Sequence, residues 1–302
     1  MSTTPLNNLN PSLVAEVEAM QLNARRLVQG ALAGMHRSPR RGSSIEFSEH
    51  KLYTPGDEIR HIDWRAFAKT DRFHVKQFED ETNITMELLV DHSASMGFRS
   101  GQATSKLDYG RQLASALSYL ALKQGDATGL LTFHDEVSSS LPARARSTHL
   151  LEILAQLTQL EPSGKTGLST ALDRFAQMRR RRSVAVLISD LFDPDPDLFD
   201  AFSRLAARRH DVAVLHVLDR AEVEFPYEAP AIFESMEDDR QLFVHPRVMR
   251  QAFVEEMQRW LTRTARRMAE AGIDYHQIVT DTPPARALGS FLKARTARAA
   301  GR

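Results

Sequence analysis

The hydrophobic positions follow two different patterns along the chain. Between residues 13 and 35, Leu13, Val17, Met20, Ala24, Leu27, Ala31 and Met35 recur at spacings of three and four, so a helix there carries a single apolar stripe. Asn10 and Pro11 suit its N-cap and first helical position, where the N–H that proline lacks would go unpaired anyway. A helix of this kind docks its stripe on another element. Ser38-Pro39-Arg40-Arg41-Gly42 is loop chemistry, and residues 45–79 are rich in β-type residues broken by turn signals. In Thr54-Pro55-Gly56-Asp57, Pro55 presets φ and Gly56 supplies φ > 0 for a type II turn.

From Ile84 the pattern becomes an alternation of short apolar runs and amphipathic stretches. Strands are predicted at 84–90, 183–189, 212–218 and 273–279, with hairpins over 127–141 and over 232–244 around Glu237-Asp238-Asp239. Helices are predicted at 107–124, 148–160, 168–178, 198–209, 248–271 and 285–298. Strands alternating with helices imply right-handed crossovers and an α/β fold, a doubly wound, mostly parallel, Rossmann-like sheet. The expected division is residues 1–80, an N-terminal helix with a β-rich appendage, and residues 81–302, the α/β domain with a C-terminal helix.

Composition narrows the function classes. The 302 residues include 39 basic and 39 acidic side chains and no cysteine, which excludes thiolate zinc sites, iron–sulfur clusters and cysteine nucleophiles. Zero formal charge argues against a dedicated nucleic-acid binder. The longest apolar uncharged stretch, 112–122, has eleven residues where a membrane helix needs about 20, and no secretory h-region follows the start. The expectation is a cytoplasmic protein without membrane insertion.

Open parallel sheets bind ligands beyond the carboxyl ends of strands, where the strand order reverses. The first sheet strand runs into Asp91-His92-Ser93-Ala94-Ser95, and the 183–189 strand into Asp190. With strand order 3-2-1-4-5-6 these two ends are neighbours, and Gly164-Lys165-Thr166-Gly167 lies on a loop between them in sequence. Two carboxylates and three hydroxyls are hard oxygen donors suited to Mg²⁺ or Mn²⁺. The residues alone leave a second reading open, in which Ser93, Ser95 and Thr166 merely cap turns and helices. Asp193-Pro194-Asp195-Pro196-Asp197 imitates the start of an EF-hand loop, but Leu198 and Arg204 occupy the positions that need glycine and glutamate. Asp195 and Asp197 are expected to form turns and cap the next helix.

Enzyme signatures are sparse. The eleven histidines show no paired-ligand spacing and there is no Gly-x-Ser-x-Gly elbow. A metal-dependent phosphohydrolase using Asp91 as nucleophile is the alternative, weakened because its general acid would fall on Ser93, a poor proton donor. The expected role is binding, with no catalysis.

The triplet Asp91-x-Ser93-x-Ser95, together with Thr166 and Asp190, resembles the metal-ion-dependent adhesion site of von Willebrand factor type A domains. The stretch Tyr53-Thr54-Pro55-Gly56-Asp57-Glu58-Ile59-Arg60-His61-Ile62-Asp63-Trp64 is similar to the signature of a bacterial family catalogued as domain of unknown function 58. Members of that family pair this signature with such a domain and commonly occur beside MoxR-class AAA+ ATPases. The resemblance implies Ser93 and Ser95 as direct ligands of Mg²⁺ (or Mn²⁺), Thr166 direct or through water, Asp91 and Asp190 mostly through water, and a partner's carboxylate completing the shell. It also implies an adaptor or chaperone subunit of a MoxR-class ATPase system acting on maturation or assembly of a client protein. One departure stands out, since such domains often place glycine after the last aspartate and here Leu191 follows Asp190. Within the signature, Asp57, Arg60 and Asp63 read as an ion-pair and turn cluster, with Trp64 as a packing anchor.

Overall fold

Leu88, Leu89 and Val90 explain the centre of the molecule, because a strand whose successive side chains are all apolar must be covered on both faces. The computed structural model describes residues 11–36, 51–52, 74–75, 84–101, 103–179 and 181–300. These residues form strand β3 (Thr85–Asp91), preceded by helix α1 (Pro11–His36) and two short strands, β1 (Lys51–Leu52) and β2 (His74–Val75). Next come α2 (Lys106–Lys123), β4 (Ala127–Phe133), β5 (Val137–Arg144), α3 (His149–Thr158), α4 (Leu168–Met178), β6 (Val184–Ser189) and α5 (Leu198–Ala207). The remainder is β7 (Asp211–Leu218), α6 (Arg220–Glu224), β8 (Ala231–Glu234), β9 (Gln241–Val244), α7 (Pro246–Glu270), β10 (Asp274–Val279) and α8 (Pro284–Ala300).

Six strands form one sheet in the order β10-β7-β6-β3-β4-β5. All neighbours are parallel except β4 and β5. Numbered along the chain and read from the β5 edge, this is the anticipated 3-2-1-4-5-6. β5 extends to Arg144, beyond the predicted 141, and tolerates Pro142 because it is an edge strand. Strand alternation sorts the core into two layers. Leu88, Val90, Val186, Ile188, Leu215 and Val217 pack with Leu113, Leu117, Leu157 and Phe291 on one face. Leu89, Ala185, Leu187, Val212 and Val214 pack with Leu172, Phe175, Phe202 and Met268 on the other.

The division of the chain corrects the expected boundary. Residues of Met1–Arg37 and Ile84–Arg302 form one compact unit and Ser38–Asn83 another, so α1 does not share a domain with the β-rich segment. The reason is packing, since α1 lies against α2, α3 and α8, with Val17, Ala24, Val28 and Ala31 buried there. In the second unit β1 and β2 pair antiparallel, Lys51 opposite Val75. The side chains of Leu13 and Met35, the Asn10 cap and the whole 53–64 signature with Trp64 lie outside the described residues. Helix α6 was not foreseen. It is a five-residue helix nucleated by a capping box in which the Asp219 side chain accepts from the first turn and Glu222 accepts from Asp219 N–H. Among the described residues no helix is long and apolar enough to cross a membrane.

Candidate functional site

β3 and β6 are adjacent parallel strands, so their carboxyl ends bring Asp91 and Asp190 to the switch point between them. Both side chains are fully buried. Asp91 Oδ1 accepts the Ser93 N–H at 2.9 Å, and its Oδ2 accepts the Ser189 hydroxyl at 2.7 Å. The first bond is an Asx turn, which ends the strand and turns the chain into a short 3₁₀ helix, Ala94–Gly97. The Ser93 and Ser95 hydroxyls lie 3.1 Å apart, and Ser95 also bonds the Asp190 carboxylate. Four of the five predicted residues are thus joined by direct hydrogen bonds.

Thr166 reaches the cluster by a different route. Its loop is fastened to the β3 end by Ala94 N–H donating to Gly164 O (3.1 Å) and Ser163 N–H donating to His92 O (2.9 Å), and to the β4 end by Gly167 N–H donating to His134 O (2.7 Å). Gly164 has φ +68°, and a Cβ on Gly167 would lie 2.2 Å from Asp135 O, so both glycines are needed for this close approach. The hydroxyl of Thr166 donates to none of the other four residues. It donates to Glu237 Oε1 at 2.9 Å, at the tip of the β8–β9 hairpin.

The Asp193–Asp197 turn has a role the sequence did not reveal. Asp193 Oδ2 accepts the Leu168 and Ser169 N–H groups at 2.8 and 3.3 Å, capping α4 just after the Thr166 loop. Asp195 accepts the Asp197 N–H, a turn as expected, while Asp197 makes no side-chain cap to α5. Capping by Asp197 is therefore corrected, because the orphan N–H groups that the turn satisfies belong to another helix.

The Leu191 departure resolves into a specific conformation. Leu191 adopts φ +57°, a left-handed geometry costing roughly 1–2 kcal/mol for a non-glycine residue. Its buried side chain and the bond from its N–H to Ser189 Oγ (2.9 Å) hold it there.

Sequence reasoning also missed the charges beneath the site. Lys106, the first residue of α2, is 0% exposed, and its Nζ lies 2.7 Å from Asp190 Oδ2 and 2.5 Å from Glu222 Oε1. Helix α2 starts there because Ser105 Oγ accepts the Asp108 N–H, which Ser-x-x-Asp could have signalled, although nothing local marks the lysine as buried. His216, also fully buried, donates from Nε2 to Asp190 O at 2.8 Å, and its Nδ1 faces the Tyr275 hydroxyl. Burial lowers His216 to about 4, so it is neutral. Burial raises Asp190 too, but Lys106 and the hydrogen bonds outweigh it and hold this carboxyl below its ordinary value. Asp91 has no such cation bonded to it, and burial followed by repulsion from Asp190 pushes it up to about 7. Glu222 is raised by burial against the pull of Lys106.

The buried acids Asp91 and Asp190 and the partly buried Glu222 therefore stand beside a single ammonium, that of Lys106, which is bonded to Asp190 and Glu222. That charge deficit, next to the paired Ser93 and Ser95 hydroxyls, fits a divalent cation bound through hard oxygen atoms. Among the described residues no group of three or more His, Cys, Asp or Glu side chains forms a metal cage, so any such ion would rely on the hydroxyls.

Fold and site together define a doubly wound α/β protein with an oxygen-rich cluster at the switch point of a mostly parallel sheet. The chain belongs to the family described as Protein of unknown function DUF58, whose model matches residues 49–263. The uncharacterized proteins Rv1480 of Mycobacterium tuberculosis and Mb1516 of Mycobacterium bovis are each 30% identical over 231 residues, covering 76% of this chain and 72% of theirs. Among solved structures, the conserved hypothetical protein BatB from Bacteroides thetaiotaomicron is similar at 15% identity and TM-score 0.45, over 70% of this chain and 98% of that one. The vWF domain of the type V pili tip protein Mfa5 from Porphyromonas gingivalis is similar at 10% identity and TM-score 0.32, over 70% of this chain and 95% of that domain.

Proposed function

We propose that this chain is a divalent-metal-dependent protein-binding subunit, an adaptor or chaperone that works with a MoxR-class AAA+ ATPase on the maturation or assembly of a client protein. The observation that carries the metal is Asp91, a fully buried acid whose bonded donors are uncharged and which stands beside Asp190 and the Ser93–Ser95 hydroxyl pair. Mg²⁺ or Mn²⁺ at Ser93, Ser95 and Thr166, with Asp91 and Asp190 behind them, would discharge that acid and keep a position open for a partner's carboxylate. The ATPase and client follow from the resemblance of the 53–64 signature and the Asp91-x-Ser93-x-Ser95 triplet to their family.

Binding without turnover is favoured over the phosphohydrolase by the state of Asp91. Its carboxylate is 0% exposed and each oxygen is bonded to the chain's own loop or to β6, so neither is presented to an incoming phosphate ester as a nucleophile must be. The cellular setting proposed is the cytoplasm.

The test is interferometry of the full chain against the neighbouring ATPase with Mg²⁺, with EDTA, and with Asp91→Ala and Ser93→Ala in place of the wild type. Loss of binding in EDTA and in both variants is expected. Binding that persists undiminished in all three removes the metal from the mechanism.

A further inference from the structure

Among the described residues the β8–β9 hairpin pairs only with itself, in a two-stranded sheet apart from the six-stranded one. Such a hairpin is marginally stable alone, so its position depends on what holds its base and its tip. The base is anchored by buried Val244, and β8 is held nearer the turn by aromatic contacts, with the Phe233 ring 5.5 Å from Phe225 and 5.1 Å from Tyr227. Along the strands, Ile232, Leu242 and Phe243 are about three-fifths exposed, at 60%, 60% and 61%.

The tip is a built turn. Ser235 Oγ accepts the Glu237 and Asp238 N–H groups, and Arg240 Nε holds both Asp238 oxygens at 2.8 and 2.9 Å. Of the three consecutive acids, Asp238 is thus paired within the turn and Asp239 faces solvent. Glu237 alone reaches across, to the Thr166 hydroxyl. Its neighbour Met236 abuts the other site loop, with Cε 3.6 Å from where a Cβ on Gly97 would stand. Adjacent tip residues therefore touch the loops carrying Thr166 and Ser95, and one of them brings a carboxylate.

We propose that Glu237 is a tethered ligand of the site, filling with the chain's own carboxylate the place that an acidic protein segment takes when it binds. This rests on the reading above, in which a partner's carboxylate completes the site. It adds that the resting chain is self-capped, and that binding is an exchange in which the turn after Glu234 swings away from the site while Phe233 and Val244 hold the strands. The free energy of capture is then lowered by whatever holds Glu237 in place.

Hydrogen–deuterium exchange of residues 231–244 in the full chain tests the device. Glu237→Gln and Thr166→Val should each speed hairpin exchange about tenfold, the scale of one charge-assisted hydrogen bond. The double variant should go no further than either single one, and Thr166→Ser, which keeps the hydroxyl, should match the wild type. Acetate replacing chloride in the presence of Mg²⁺ should also speed exchange in the wild type. Hairpin exchange that ignores Thr166→Val, effects that add in the double variant, or indifference to acetate would overturn the proposal. Mn²⁺ titrated calorimetrically into the same proteins separates it from the broader reading. A wild type that binds no Mn²⁺ yet shows the Thr166–Glu237 coupling overturns metal-dependent capture and keeps the tethered carboxylate. Mn²⁺ binding with an uncoupled hairpin does the reverse.

Discussion

Strand β3 buries two acids four residues apart, Glu87 near its start and Asp91 at its end, and the fold treats them in opposite ways. Glu87 is 2% exposed and Arg179, just past α4, brings Nε to 2.7 Å from its Oε1. Room for the carboxylate is made by Gly129 on β4, where a Cβ would come within 2.2 Å of Glu87 Oε2. Burial still raises Glu87, with Arg179 pulling against it. Asp91, by contrast, accepts bonds from uncharged groups of Ser93 and Ser189, while Lys106 is engaged by Asp190 and Glu222. An acid that only holds the fold together is matched by a cation of the chain. At Asp91 that match is withheld, at the one end of the strand where the topology opens a crevice.

The largest effect expected from this contrast is on metal affinity. Asp91→Ala should abolish Mn²⁺ binding in a calorimetric titration, whereas Glu87→Gln should leave it within twofold of the wild type. Equal losses in both variants would erase the distinction between the two ends. Next in size is stability. Arg179→Met leaves Glu87 buried without its cation and should cost about 3–5 kcal/mol in urea denaturation, the range for a broken buried pair.

A third, comparable effect concerns pH and the Asp190 side of the site. The unfolded histidine takes up a proton below about 6.5 and folded His216 only below about 4, so its contribution is complete above pH 6.5 and is lost as pH falls through that window. The loss should be on the order of 3 kcal/mol, read by urea denaturation in EDTA, and His216→Gln should flatten that part of the slope. The smallest effect has the opposite sign to the Arg179 variant. In Asp91→Asn the amide oxygen keeps the Ser93 N–H and its NH₂ group can donate to Ser189 Oγ, while the uncompensated charge is removed. The metal-free variant should therefore be more stable than the wild type by about 1 kcal/mol. An Asp91→Asn protein less stable than the wild type in EDTA would mean that the ionised acid is stabilised by the fold itself.

The legible parts of this molecule are those set by neighbours in sequence. The three-and-four spacing of Val17, Met20, Ala24, Leu27 and Ala31 and the apolar run Leu88-Leu89-Val90 of β3 each say which faces must be covered, and the order of strands and helices then leaves few arrangements of a parallel sheet. Asp91, Ser93, Ser95 and Asp190 could be placed together because strand ends are fixed points of that arrangement and the Asx turn is local. Thr166 could be placed on an adjoining loop, and its glycines hinted at close packing.

What only the tertiary structure decided lies at long range. α1 belongs with the α/β layers because α2, α3 and α8 present the surface for its stripe, and an apolar stripe does not say which surface it meets. Lys106 can be fully buried because Asp190, 84 residues away, and Glu222, 116 residues away, converge on it. Glu237 reaches Thr166 across 71 residues, and its two acidic neighbours in the same turn do not. Periodicity fixes which side of an element is apolar, since that depends on geometry repeated every few residues. The partner of a buried charge depends on which distant surfaces close over it, and desolvation makes that partner decisive once the fold has formed.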